Sequence, residues 1–143
     1  MSVLTETNNF ARHFGKAMLV SSIGLLSVNA VAGEAEDAFS KELAECAAYY
    51  QIAANTIASM NAPQMQAVGE RLALSGEKAV EIAHQYQSVE NVNQAVLDAK
   101  AQHLASLPNT NGLGPLMGKY KEKCKMVISQ PESRFDYWVM VTM

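Results

Sequence analysis

The residue pair that comes nearest to a metal-binding motif is Glu81 and His84, which are spaced as Glu-x-x-His within a predicted helix. Di-iron carboxylate bundles bind their metal through two such pairs and two further carboxylates. The only other histidine beyond the N-terminal region is His103, and neither Glu nor Asp stands three residues before it. We therefore expect a surface glutamate and a half-buried histidine here, and no metal site.

Other cofactor and catalytic motifs are missing from the sequence. Histidine and methionine can bind haem iron, but the chain has no Cys-x-x-Cys-His motif for covalent attachment. It has no Gly-x-Ser-x-Gly turn, and the segment 112–114 lacks the Gly-Lys-Ser/Thr ending of a phosphate-binding loop. We therefore predict no catalytic residue, no cofactor and no enzyme activity. A small-ligand, metal or haem carrier is one alternative, and a small secreted hydrolase or toxin is another.

The two cysteines of the chain, Cys46 and Cys124, allow a single intrachain disulfide. Both are placed within the apolar faces of predicted helices, as a bridge between the first and the fourth helix requires. In an oxidising compartment we expect them to be bonded, which would stabilise the fold by about 4–5 kcal/mol in the chain-entropy model. Two free buried thiols are the alternative.

The N-terminal region is typical of a secretory signal peptide. A short basic segment precedes the apolar stretch Ala17–Val28, and Ala30 and Ala32 have the small-x-small spacing that signal peptidase accepts. The apolar stretch has about 12 residues, too few to cross a bilayer core of roughly 30 Å. We predict that residues 1–32 are a signal peptide, cleaved after Ala32, and that residues 33–143 form one periplasmic or secreted domain. A buried helix or an uncleaved anchor is the alternative.

Helical periodicity runs through most of the remaining chain, because apolar residues recur at spacings of three and four. In the first helix, Glu42 and Glu45 fall largely off the apolar face. In the second helix, Asn61 is a candidate N-cap, Pro63 suits the first turn, and a stripe of small residues would allow close helix packing. A break at Ser75 and Gly76 is the alternative there. The predicted helices are Glu34–Met60, Asn61 to about Gln87, Ser88–Leu107 and Leu116–Ser129.

The C-terminal segment, Gln130 to about Val141, fits two patterns. Its apolar residues suit a short helix, but Phe135, Tyr137 and Val139 also alternate as they would in a strand. We predict a helix. The fold class is thus all-α: a small antiparallel bundle of about four helices plus a short C-terminal segment, with one disulfide.

Two groups of side chains suggest a surface that contacts another macromolecule. Tryptophan and tyrosine are common interface anchors, and lysines can contact an acidic partner. Alternatively, the aromatic residues close the core, and the lysines form a solvated helix face. The predicted interaction surface consists of Phe135, Tyr137, Trp138, Lys119, Lys121 and Lys123.

Charge and hydropathy limit the kinds of partner. The net charge of −3 disfavours nucleic acid, and no apolar run is long enough to span a membrane. We therefore predict a non-catalytic module that binds another protein, with self-association into a homodimer left open. In size and predicted topology it resembles small periplasmic disulfide-stapled bundles, such as acid-stress chaperones and immunity proteins that neutralise secreted toxins. No sequence motif carries this resemblance.

Overall fold

The predicted all-α class is confirmed by the structure. A computed structural model describes residues 27–108 and 112–143, with side chains from residue 33 onwards. This part of the chain contains five α-helices, one 3₁₀ turn and no strand. In order these are α1 (Ser27–Ser59), the 3₁₀ turn (Pro63–Met65), α2 (Gln66–Ala83), α3 (Val89–Ser106), α4 (Gly114–Ser129) and α5 (Pro131–Thr142).

The first helix begins earlier than the sequence predicted. Residues 1–26, which hold most of the predicted signal peptide, lie outside the described residues. α1 starts at Ser27 and continues through the predicted cleavage point at Ala32. The expected start at Glu34 assumed that cleavage had occurred. In the uncleaved chain no proline separates residues 27–33 from Glu34, and the helix continues back through them to Ser27.

α1 is the central helix of the bundle, because side chains on almost all its sides are buried from Ala35 to Ala53. A helix that is apolar all round is stable only when other elements surround it. Large side chains such as Phe39, Leu43 and Tyr49 fill the core, and small ones let the neighbouring helices approach. The buried alanines in this stretch of α1 are Ala35, Ala44, Ala47, Ala48 and Ala53.

The stripe of small residues on α2 brings this helix close to α1. A Cβ atom added at Gly69 would lie 3.2 Å from Cγ2 of Ile57, and one added at Gly76 would lie 3.3 Å from Cβ of Tyr50. Residue numbers fall along α1 as they rise along α2, so the two helices are antiparallel. α2 is continuous through Ser75 and Gly76, so the close packing outweighs the weak helix propensity of glycine.

Gly76→Val should lower the free energy of unfolding by about 1–2 kcal/mol, because the added Cβ atom lies 3.3 Å from the Cβ atom of Tyr50, which cannot rotate away. Gly118→Val is the matched control, since nothing lies within 4 Å of a Cβ atom at that helical position. Urea denaturation followed by circular dichroism at 222 nm measures both. Equal effects of the two substitutions would show that helix propensity, and not the close contact, governs position 76.

α4 is also antiparallel to α1, and the predicted disulfide joins the two helices. Cys46 and Cys124 are bonded, with their Cα atoms 5.3 Å apart, and both are fully buried. Three to four residues away, the rings of Tyr49 and Tyr120 stack with centroids 5.9 Å apart. The bridge therefore links helices that also pack against each other about one turn away from it.

α3 runs in the same direction as α1. At its N-terminal side, Gln87 donates a hydrogen bond to Asp37. Near its C-terminal end, Nε2 of His103 donates to the backbone oxygen of Glu45 at 3.0 Å. The four helices thus alternate in direction along the chain, which confirms the predicted antiparallel bundle.

The connection between α1 and α2 differs from the prediction. Asn61 does not cap α2 but adopts a left-handed backbone conformation with φ of 49°, which asparagine tolerates better than most residues. Pro63 then begins the 3₁₀ turn, and α2 starts only at Gln66. The sequence singled out the right residues but assigned Asn61 the wrong role. By contrast, Ser88 caps α3, since its hydroxyl oxygen accepts a hydrogen bond from the backbone N–H of Asn91 at 3.2 Å.

Candidate interaction surface

The C-terminal segment is a helix, α5, and one of its faces packs on the bundle. The ring of Phe135 lies 5.8 Å from that of Phe39 and 4.8 Å from that of Tyr86. Trp138, three residues further on, also packs against the core. A spacing of three puts both side chains on one face of a helix but on opposite faces of a strand. This packing is therefore the reason why the segment is helical.

A buried carboxylate on α1 holds α5 in place. The side chain of Glu42 is only 3% exposed and accepts hydrogen bonds from Nε of Arg134 at 2.7 Å, from Nη2 of Arg134 at 2.8 Å and from Nε1 of Trp138 at 2.7 Å. Nζ of Lys123 lies 3.3 Å from the same carboxylate. We call these four residues the Glu42 clamp; they connect α1, α4 and α5.

The pKa of Glu42 lies below its ordinary value of 4.5. Burial by itself would raise this pKa, because it disfavours the charged form. The hydrogen bonds from Arg134 and Trp138, together with the positive charges of Lys123 and Arg134, outweigh burial. Glu42 therefore stays ionised in the fold, as a buried carboxylate with several donors should.

Glu42 is buried, so the prediction that it lies off the apolar face was wrong. The packing of α4 and α5 covers a side of α1 that its own periodicity leaves polar. Sequence offers one signal for the clamp: a single arginine and the single tryptophan occur at i and i+4 in the last helix, where both can reach the same carboxylate. Without the tertiary contacts, nothing in the sequence shows which carboxylate they reach.

The three predicted lysines have different surroundings. Lys123 belongs to the Glu42 clamp and also lies 3.5 Å from the carboxylate of Glu45. Lys119 lies over the ring of Tyr120, with Nζ 5.0 Å from the ring centroid. Lys121 pairs with Glu122 at 4.0 Å, and both are largely exposed. Within the described residues, neither Lys119 nor Lys121 thus takes part in a buried ion pair.

The outer face of α5 carries a second set of apolar side chains. Met140 and Val141 lie three and four residues after Tyr137. The exposed fractions of Tyr137, Met140 and Val141 are 41%, 68% and 52%. We call these three residues the α5 stripe. Arg134 connects the stripe to the clamp, because its guanidinium carbon lies 4.1 Å from the ring centroid of Tyr137. Of the predicted surface residues, Tyr137 thus points outward, whereas Phe135 and Trp138 pack inward.

Met140 and Val141 were not among the residues of the predicted interaction surface. The spacing of both from Tyr137 is visible in the sequence, but a pattern alone does not show which of two apolar faces is buried. The clamp decides this, because it turns Trp138 and Arg134 towards α1.

The Glu-x-x-His pair, by contrast, does not belong to any larger group of potential metal ligands within the described residues. Glu81 and His84 are both exposed, so the histidine is less buried than expected. Among the described residues no group of three or more His, Cys, Asp or Glu side chains is arranged to hold a metal ion. His103 is buried between the backbone of Glu45 and the ring of Tyr120, 4.4 Å away, where it has a structural role.

Within the described ranges, no helix has both the length and the apolar character that a membrane crossing requires. The fold and the surface define an all-α bundle with one buried disulfide and an outward apolar stripe on its last helix. Comparison of the chain with protein-family models, curated proteins and solved structures finds no match.

Proposed function

We propose that this protein is an exported, non-catalytic module that binds another protein through the α5 stripe. The observation that carries the proposal is that α5 has apolar side chains on two opposite faces. One face is held by the Glu42 clamp, and the opposite face presents Tyr137, Met140 and Val141 to solvent. A helix whose only role was to close the core would need the face that packs on the bundle, but it would not need apolar side chains on the exposed face.

The clamp favours binding because it orders the helix before a partner arrives. Two hydrogen bonds from Arg134 and one from Trp138 fix α5 on α1. Holding a binding element in its bound conformation reduces the entropy lost on association. Tyr137 adds a rigid aromatic side chain of the kind that often anchors interfaces. In this proposal Phe135 and Trp138 position the helix, Tyr137 contacts the partner, and Lys119 and Lys121 are candidates for the polar rim.

Export is supported by two independent features. The N-terminal sequence has the basic, apolar and small-residue order of a signal peptide, and the buried disulfide is of the kind that persists in oxidising compartments. We therefore propose a periplasmic or secreted location. Intact-mass spectrometry of native protein should find a chain that begins at Gly33 and has no alkylatable thiol. A chain with residue 1 still attached and both thiols free would contradict this location.

The binding proposal is tested by site-specific photo-crosslinking in the native host. A photoreactive amino acid at Met140 should crosslink one predominant protein, which mass spectrometry identifies. The same amino acid at Met126, an exposed methionine of α4, is the matched control and should not. With that protein purified, Val141→Asp should weaken binding about tenfold or more, in the range of a lost interface anchor.

Two results would contradict the proposal. One is equal crosslinking of the same proteins from positions 140 and 126, which would indicate random collisions. The other is unchanged binding by the Val141→Asp variant when its circular dichroism spectrum shows an intact fold.

A further inference from the structure

A surface groove made of two separate depressions, one after the other, lies along α2. Its first part has a volume of about 600 Å³ and lies between the end of α1 and the start of α2. Its second part has a volume of about 580 Å³ and lies between α2 and α3, with Gln51 of α1 contributing to its lining. Along α2 it extends from Gln66 to His84, about 27 Å at 1.5 Å per residue. We call the two parts together the α2 groove.

The lining of the α2 groove provides apolar contacts without large obstructing side chains. In the first part, Ala54, Ala58 and Ala73 leave room for a neighbouring helix to approach. In the second part, Val80 and Leu97 lie on opposite sides. Leu97 is 60% exposed, so most of this leucine is in contact with water. An apolar segment placed between α2 and α3 would cover it.

The groove is also negatively charged along one wall. Glu70 lines its first part, and Glu77 and Glu81 line its second part. None of the three forms an ion pair within the described chain, and no lysine or arginine is among the described residues that line the groove. Such a wall attracts positive charge and repels acidic partners.

We propose that the α2 groove binds one basic amphipathic helix of a partner protein. This inference rests on the proposed protein-binding function but concerns a second surface. The length of the groove matches about five helical turns. Apolar side chains of the bound helix cover Leu97 and Val80, and its lysine or arginine side chains pair with Glu77 and Glu81. This is the helix-in-groove mode of recognition, with charge complementarity setting its orientation.

A designed peptide tests the groove without knowledge of the partner. The probe is a fluorescent 18-residue helix with leucines on one face and lysines on both flanks, and the comparison peptide has glutamate in place of each lysine. Fluorescence anisotropy should show that the full-length protein binds the lysine peptide and not the glutamate peptide. Glu77→Lys/Glu81→Lys should weaken binding about tenfold or more, because two attractions become repulsions.

A charge-matched variant separates the groove from net charge. Glu34→Lys/Glu122→Lys makes the same change at two exposed carboxylates outside the groove and should alter affinity by less than about twofold, since distant exposed charges are screened by salt. Equal weakening by both double variants would overturn the proposal. So would displacement of the peptide by an equal concentration of spermine, which would show that the groove recognises positive charge without a helix.

The two binding proposals, for the α5 stripe and for the α2 groove, can be contradicted independently. Val141→Asp on α5 should leave binding of the lysine peptide unchanged, and the groove variant should leave crosslinking from position 140 unchanged. Hydrogen exchange of the complex should show protection in α2 and α3. Protection confined to α5 would overturn the groove site while leaving the α5 stripe intact.

Discussion

Removal of the disulfide by Cys46→Ala/Cys124→Ala should lower the free energy of unfolding by about 4–5 kcal/mol in the chain-entropy treatment. The bonded residues are 78 positions apart, so the bridge restricts most of the unfolded chain. Small domains have a total stability of about 5–15 kcal/mol, and the variant should therefore be close to unfolding at room temperature. Urea denaturation of both proteins, monitored at 222 nm, gives the difference.

Alanine is the right replacement here because both sulfur atoms are fully buried, and serine would bury hydroxyl groups that need partners. The wild-type protein treated with a reducing agent is the second sample, since it loses the bond but keeps both sulfur atoms. A loss below about 1 kcal/mol in both samples would show that the reduced chain keeps enough residual structure to cancel the effect of the cross-link.

Glu42→Gln should lower the free energy of unfolding by about 2–4 kcal/mol, because it leaves Arg134 and Lys123 without a buried counter-charge. Both cations keep some exposure and can partly rehydrate, which limits the loss. Trp138 is the only tryptophan of the chain, so its fluorescence reports on the clamp directly. Its emission should shift to longer wavelength as α5 loosens.

Glu45→Gln is the matched control, on the same helix and with the same change of charge. Glu45 is 28% exposed and meets Lys123 at 3.5 Å, so we expect a loss below about 1 kcal/mol, as for other surface ion pairs. A similar loss for both variants, with no change in tryptophan emission for Glu42→Gln, would show that the clamp does not hold α5.

The effect of Glu42→Gln should also depend on pH. The pKa of Glu42 is lower in the folded protein than its ordinary value of 4.5, so ionised Glu42 stabilises the fold fully above that value. This stabilisation is lost as the pH falls through the folded pKa. The stability difference between wild type and variant should thus be largest near neutral pH and shrink below pH 4.5. A difference that is constant down to strongly acid pH would contradict an ionic clamp.

The helices were largely predictable because burial imposes a spacing of three and four on any helix with one apolar side. The same spacing placed Cys46 and Cys124 on core faces, and the absence of any third cysteine left one pairing. The prediction was less accurate at helix ends. Asn61 can cap a helix or adopt a left-handed conformation, and the choice depends on how α1 and α2 pack.

Glu42 shows where a one-dimensional pattern fails. Periodicity describes a helix with one buried side, whereas α1 is covered on almost every side. A carboxylate there becomes a buried anchor only because cations from two later helices reach it. These contacts span more than 80 positions of sequence, and no local signal connects them.

From its sequence alone, this protein was determined to be an all-α bundle with one disulfide between Cys46 and Cys124. Local periodicity and the number of cysteines carry that information. Only the tertiary structure decided that Glu42 is buried, that Trp138 faces inward while Tyr137 faces solvent, and that Glu77 and Glu81 line a groove. The reason is physical: the burial and charge of a side chain depend on the neighbours that distant segments bring to it.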